Sequence, residues 1–333
     1  MHPAPHLWAI VTILFSLLGP AADLACAEEV DSALLDACPG YNATSVKVDG
    51  PTLTARLVLA GAPCNVFGND IKALDLTVVY ETSRSLSQEG RIAFLTYTHS
   101  HPIAHPAPPE TRIHLKITDA YSTRYEVPHS VFPRPAADPK TRPDAAHIKF
   151  SYSAAPFAFN ISRARTGDVL FTTAGHALIF EPQFVRIKTA LPRATNIYGL
   201  GEHSDPFRLD VVNTTRTMWA RDAYSIPKGT NLYSSHPVYF EHRPASGTHA
   251  VFLLSSSGMD VKIREDGFGA SLEYNVIGGV FDFYFLAGSD TDPAEAARQY
   301  AQIVGTPAEV PYWSFGLHQC RYGYKGRLCF FCI

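Results

Sequence analysis

"RIHLKITD", residues 112–119, sets apolar Ile113, Leu115 and Ile117 against polar Arg112, His114 and Lys116. Successive side chains of an extended chain point to opposite faces, so this alternation predicts a strand with one dry and one wet face. The same period returns in "FAFNIS" (157–162), where Phe157, Phe159 and Ile161 form the apolar set, and in "FVRIKT" (184–189) and "VFDFYFL" (280–286). Clusters of Pro, Gly, Asn and Asp separate these runs. No helical period persists between Pro51 and Leu286. The pattern predicts a mainly β chain, built as an antiparallel sandwich or barrel.

The pattern changes near residue 290. In "SDTDPAEAARQYAQIVGTP" (289–307), Asp292 is placed as an N-cap, Pro293 at the first helical position and Glu295 at the third, as in a capping box. Gly305 closes this helix and Pro307 prevents its continuation. "VPYWSFGLHQC" (310–320) then reads as a buried strand through Trp313, Phe315 and Leu317. Two Pro-rich stretches, 99–110 and 133–146, read as linkers or insertions because proline cannot donate to a sheet ladder. The length of 333 residues allows about two domains. A net charge of −3 gives no footing for nucleic-acid binding.

The amino-terminal residues follow a different pattern. "LWAIVTILFSLLGP" (7–20) has the length of a secretory apolar core, and "ACA" (25–27) offers small residues for cleavage. The run is short for a membrane span, which needs about 20 apolar residues. The reading is a cleaved signal over 1–27 and a secreted mature chain with no membrane attachment; an uncleaved anchor is the alternative. Sequons at Asn42, Asn160 and Asn213 are candidate glycosylation sites. Cys38 and Cys64 are the candidate disulfide in an oxidising compartment, with two separate buried thiols as the alternative.

Other motifs have plain explanations. His99, His101 and His105 could ligate a metal, but Pro102 and Pro106 favour a solvated loop, so no metal is expected. Gly199-Leu-Gly201 lacks the third glycine and the helix of a dinucleotide fingerprint, so no cofactor is expected. Cys329 and Cys332 have redox spacing without the strand-to-helix context that such chemistry uses. No Gly-x-Ser-x-Gly nucleophile elbow occurs.

Residues 196–240 interleave polar, charged and aromatic side chains without a strand period. Loops on a rigid sheet concentrate binding residues. Asp222 could accept hydrogen bonds from paired sugar hydroxyls, with Arg221 holding it ionised. The plainer alternative is a surface ion pair between the two, worth ~0–1 kcal/mol.

"NIYGLGEH", "WARDAYSIPKGTNLYSSHPVYF", "FDFYFLAGSDTDPAEAARQYAQIVGTP" and "PYWSFGLHQCRYGY" together resemble glycoside hydrolase family 31, and secreted fungal-type α-glucosidases within it. The likeness runs roughly from residue 40 to 325. It implies a galactose-mutarotase-like β-sandwich over 28–290 and the start of a (β/α)8 barrel over 291–325, represented by a helix and its first strand only. Residues 326–333 leave the family pattern. The resemblance further implies that Arg221 and Asp222 reach over the barrel mouth, where Asp222 would bond the terminal glucosyl unit. Tyr322 would stand beside the same sugar, and the substrate would be a maltose-like α-glucoside oligosaccharide. The family is retaining and needs a nucleophile and a general acid/base. No nucleophile motif of the family's kind is found in 1–333, so no catalytic residue is expected in this chain and it should be silent alone. The alternative is a secreted, non-catalytic carbohydrate-binding sandwich.

Overall fold

The computed structural model of the chain describes residues 30, 32–82, 111–134, 139–265 and 269–319. Among the described residues, those up to Ala37 belong to one unit and those from Cys38 onward to another. The first contains α1 (Ser32–Asp36), closed by a hydrogen bond from the Ala37 amide to the Ala33 carbonyl. In chain order the second contains β1 (Tyr41–Asp49), β2 (Thr52–Leu59), β3 (Ala73–Thr82), β4 (Thr111–Asp119), β5 (Ile148–Ala154), β6 (Phe157–Arg163), β7 (Val169–Thr172) and β8 (Ile179–Glu181). There follow β9 (Phe184–Leu191), β10 (Asn196–Gly199), β11 (Asn213–Met218), β12 (Val238–Arg243), β13 (Gly247–Leu253), β14 (Met259–Glu265), β15 (Ala270–Val276), β16 (Phe281–Ser289) and α2 (Ala294–Val304).

The strands form three sheets with neighbour orders β1-β2-β3-β4-β16-β13-β12-β10, β11-β14-β15-β9-β8 and β5-β6-β7. Every pairing is antiparallel. Ile113, Leu115 and Ile117 of β4 are fully buried, as their alternation predicts. They join Phe281, Phe283 and Phe285 of β16, Phe159 of β6, Phe171 of β7 and Tyr274 of β15 in one core shared by all three sheets. The Phe171 and Phe285 rings meet edge-on at 5.1 Å, and Tyr274 meets Phe283 at 5.5 Å. Each such side chain contributes roughly 1.5–3 kcal/mol through burial, which is why the apolar stripe dictates the layers.

Over β4, β16 and β13 the opposite face of the large sheet is not wet, and here the alternation misleads. Asp282 is fully buried, Glu81 and Arg112 are nearly so, and Tyr284 and Leu286 sit in a second apolar cluster. That cluster packs Tyr284, Leu286, Ala250, Phe252 and Val238 beneath α2 and beneath Val127 and Phe132. The charges under this cover satisfy one another. Arg112 Nε donates to Glu81 at 2.8 Å, Arg134 donates to Asp282 at 2.8 Å, and Lys116 pairs with Glu126. Burying unpaired charge is prohibitive, so polar residues alternating along β4 and β16 are compatible with a dry face only because each finds a partner. Arg134 lies in a stretch read as a linker, yet it is nearly buried and ties that segment to the sheet.

Helix α2 forms where expected. The Asp292 carboxylate accepts the Ala294 amide at 3.0 Å, and Gly305 leaves the helix with φ 87°. Glu295 does not close a capping box; it pairs with Arg298 at 2.7 Å. The expected strand over 310–320 is not present among the described residues. Tyr312–Phe315 form a 3-10 turn, and Trp313, Phe315 and Leu317 are exposed. No strand of the three sheets pairs with this segment, and extended backbone without a ladder partner gains nothing from the strand conformation. Cys38 and Cys64 are joined, with their Cα atoms 5.7 Å apart. Among the described residues no helix is long and apolar enough to cross a membrane.

Candidate functional site

The polar segment after β10 is stitched into a defined loop. Edge strand β10 pairs with β12, so the two feet of the loop, Gly199 and Val238, are neighbours. Gly199 has φ 101°, and a Cβ there would stand 2.5 Å from the Val238 carbonyl oxygen. Only glycine lets the chain leave the sheet so close to β12. From there the backbone runs as a double rung. The Glu202 amide donates to Ser234 at 2.9 Å, Leu232 donates back to Glu202 at 3.0 Å, and Arg221 donates to Leu232 at 2.9 Å. The Glu202 carboxylate accepts both the amide and the hydroxyl of Ser234, at 3.1 and 3.2 Å.

A second clamp lies at Asp205. It accepts Arg216 of β11 and the Gly229 amide at 3.1 Å. Burial alone would raise this carboxyl, but Arg216 and the Gly229 N–H outweigh it and hold it below the usual range. Ser204 donates to the Pro227 carbonyl at 3.2 Å, and the Asn231 amide reaches Leu232, Ser234 and Ser235.

Arg221 and Asp222 sit on the exposed rim of this loop. No ion pair joins them. Asp222 instead faces Tyr233, whose phenol is pushed above its ordinary value chiefly by the Asp222 charge. The arrangement therefore presents a carboxylate facing a phenol, with a guanidinium next in the chain and Tyr224 fully open to solvent. Such a set can accept and donate to vicinal hydroxyls of a sugar. A groove of about 790 Å³ runs between Gly199–Phe207 and the last turn of α2, and none of Arg221, Asp222, Tyr224 and Tyr233 lines it.

Tyr322 lies outside the described residues, as do His99, His101, His105, Cys329 and Cys332, so the loop and Tyr322 are not placed together here. Among the described residues no three His, Cys, Asp or Glu side chains converge as a metal site. Of the sequon asparagines, Asn213 on β11 is exposed, and Asn42 on β1 and Asn160 on β6 are half-buried. Tyr233, Glu202 and Asp205 escaped the sequence reading. Their roles depend on partners tens of residues away, and nothing local signals a polar residue's distant partner.

Residues 113–261 match the family described as the glycosyl hydrolase 31 N-terminal galactose mutarotase-like domain. A probable alpha/beta-glucosidase of Arthroderma benhamiae is 48% identical over 298 residues, covering 88% of this chain and 31% of the relative. A probable alpha-glucosidase of Oryza sativa subsp. japonica is 37% identical over 345 residues, covering 97% and 34%. In fold, the chain is similar to the glucosidase II alpha subunit, with a TM-score of 0.64 at 15% identity, covering 86% of this chain and 36% of that one. It is also similar to a Flavobacterium johnsoniae GH31 dextranase, with a TM-score of 0.54 at 15% identity, covering 83% and 29%. The chain belongs to glycosyl hydrolase family 31, as the amino-terminal portion of such a protein. It spans about a third of the length of the curated relatives it matches.

Proposed function

We propose that this chain is the sugar-facing amino-terminal part of a retaining α-glucosidase that removes terminal α-linked glucose from maltose-like oligosaccharides. Arg221 and Asp222 are its substrate contacts, and Tyr233 orients Asp222. The single observation behind this reading is the exposed Asp222 carboxylate, facing Tyr233 on a loop fastened at Glu202 and Asp205. A carboxylate so placed accepts hydroxyl protons without reorganising, and its bonds can strengthen as the glucosyl ring distorts toward the transition state. Tyr322 completes the same subsite. The domain limits are 28–290 for the sandwich and 291–325 for the start of the barrel. The nucleophile and the acid/base come from barrel sequence beyond these segments. The protein is secreted after removal of residues 1–27, and Asn42, Asn160 and Asn213 carry glycans.

The test joins residues 28–319 to the carboxy-terminal part of the Arthroderma benhamiae relative and measures hydrolysis of a chromogenic α-glucoside. The 333-residue chain alone should give none, and the chimera should be active. Asp222→Ala in the chimera removes two charge-assisted hydrogen bonds, so kcat/KM should fall about a hundredfold. A fall of less than about twofold would remove Asp222 from the substrate contacts.

A further inference from the structure

We propose that Trp219 and the serine turn 255–257 form a second carbohydrate site, in which a neutral pyranose ring stacks on the indole. Trp219 follows the buried Met218 at the end of β11, yet it is 59% exposed. It is not a loose surface side chain. Its six-membered ring rests on Gly258, where a Cβ would stand 2.5 Å from Cε3 and 2.7 Å from Cζ3, and a Cβ there would also meet Ile277 Cδ1 at 3.4 Å. Part of the indole is thereby seated against Gly258 while the residue stays 59% exposed, which makes a fixed platform. Any side chain at 258 would lift the ring.

Beside the platform lies a hollow of about 510 Å³, bounded by Trp219, Ser235, Ser255, Ser256 and Ser257. That volume falls within the range of small-ligand sites, roughly 300–1,000 Å³. The hydroxyls are arranged to serve a ligand. Ser255 Oγ accepts the Ser257 amide at 3.2 Å and Ser235 Oγ accepts the Asn231 amide at 3.2 Å, which leaves each hydroxyl proton to donate. Ser256 Oγ lies 2.7 Å from the Tyr125 hydroxyl, so this pair offers one further proton to a ligand. No Asp, Glu, Lys or Arg bounds the hollow. A charged ligand would find no counter-charge there. An aromatic plane flanked by neutral donors suits a polyhydroxylated ring with one apolar face. Arg221, Asp222 and Tyr233 do not bound the hollow, although their chain neighbours Ala220 and Ser235 do. The site stands on its own geometry, and only the choice of an α-glucan as first probe rests on the reading of the chain as an α-glucosidase.

The test uses the whole chain. Maltohexaose and, separately, laminarihexaose are titrated by calorimetry and by indole fluorescence. Millimolar binding is expected, weakened about tenfold in Trp219→Ala, as loss of an aromatic platform implies. Trp219→Phe should retain most of the affinity and Ser255→Ala should weaken binding. Circular dichroism of each variant checks that the sandwich is intact. Absence of saturable binding to either glucan overturns the site. So does unchanged affinity in a folded Trp219→Ala. If the folded Trp219→Phe binds no better than Trp219→Ala, the aromatic-stacking explanation is overturned. Binding of laminarihexaose but not maltohexaose upholds the platform and counts instead against an α-glucan substrate for the complete protein.

Discussion

Replacing His114 should abolish a distinctive alkaline loss of stability. The His114 ring stacks flat on Tyr284, with centroids 4.2 Å apart and planes 4° apart. Its Nδ1 lies 3.2 Å from Glu81 and its Nε2 lies 2.5 Å from Asp282. Both carboxyls sit below their usual range, because His114 and the arginines beside them outweigh the effect of burial. A neutral imidazole can donate to only one of these acceptors; the imidazolium donates to both. Burial opposes the charge, but the two carboxylates prevail and the ring's pKa is raised to about 9.

The sign follows from linkage. The native state holds the proton more tightly than the unfolded chain, whose histidine titrates near 6.5. The stabilisation is complete below pH 6.5 and disappears as pH rises through about 9. Over that interval unfolding releases one proton, so stability falls by about 1.4 kcal/mol per pH unit and by about 3 kcal/mol in all. Urea unfolding of the whole chain at half-unit steps from pH 6 to 9.5 measures this. His114→Gln should be less stable than the parent at pH 6 and should lack the decline. If the variant and the parent lose stability in parallel across the interval, His114 is not the group responsible and the imidazolium assignment fails.

Three further outcomes are expected. Exchanging Cys38 and Cys64 for serine opens a loop spanning 26 positions and should cost about 3.5 kcal/mol in the chain-entropy account, read from urea midpoints under oxidising conditions. Gly288→Ala should cost more than about 3 kcal/mol, because φ is 57° and the new Cβ would stand 2.0 Å from the Thr248 carbonyl oxygen; a thermal scan showing an unchanged midpoint would contradict the β13–β16 geometry. In the active chimera, Tyr233→Phe should lower kcat/KM about fivefold, as loss of one hydroxyl facing a carboxylate implies, while the melting temperature holds.

The layers were legible because hydrophobic burial is a local, periodic signal. Ile113, Leu115 and Ile117 point inward for the reason their spacing states, and α2 begins and ends at residues chosen for helix termini. The outer face of the large sheet was not legible. Asp282 and His114 look like solvent residues in a strand of period two, and only the return of Glu126–Arg134 across that face reveals them as buried partners. The same limit applies to the site. Asp222 could be singled out by its residue type and by family likeness, but Tyr233, Glu202 and Asp205 gain their roles from pairings across the loop. The segment 310–317 shows the opposite error. An apolar, aromatic composition suggested a strand, although strand formation depends on a neighbour that composition cannot supply.

The position of the loop follows from how β12 is held. Val238 and Phe240 extend from β12 toward α2, where Val238 joins the second apolar cluster and the Phe240 ring meets Tyr300 edge-on at 6.3 Å. Tyr239, between them, points into the main core and is fully buried. One strand is therefore anchored on both faces, and the loop's two feet are fastened to it by the bond from the Leu200 amide to the Val238 carbonyl, 2.9 Å long. A loop whose base is fixed this way can keep exposed polar side chains in register without burying them, provided its interior is bonded to itself. Glu202 and Asp205 do that. Their carboxylates accept backbone amides that would otherwise need water, and the rim residues Arg221 and Asp222 are left exposed. This division of labour leaves a few groups exposed on the rim while most of the loop's polar residues hold the loop together.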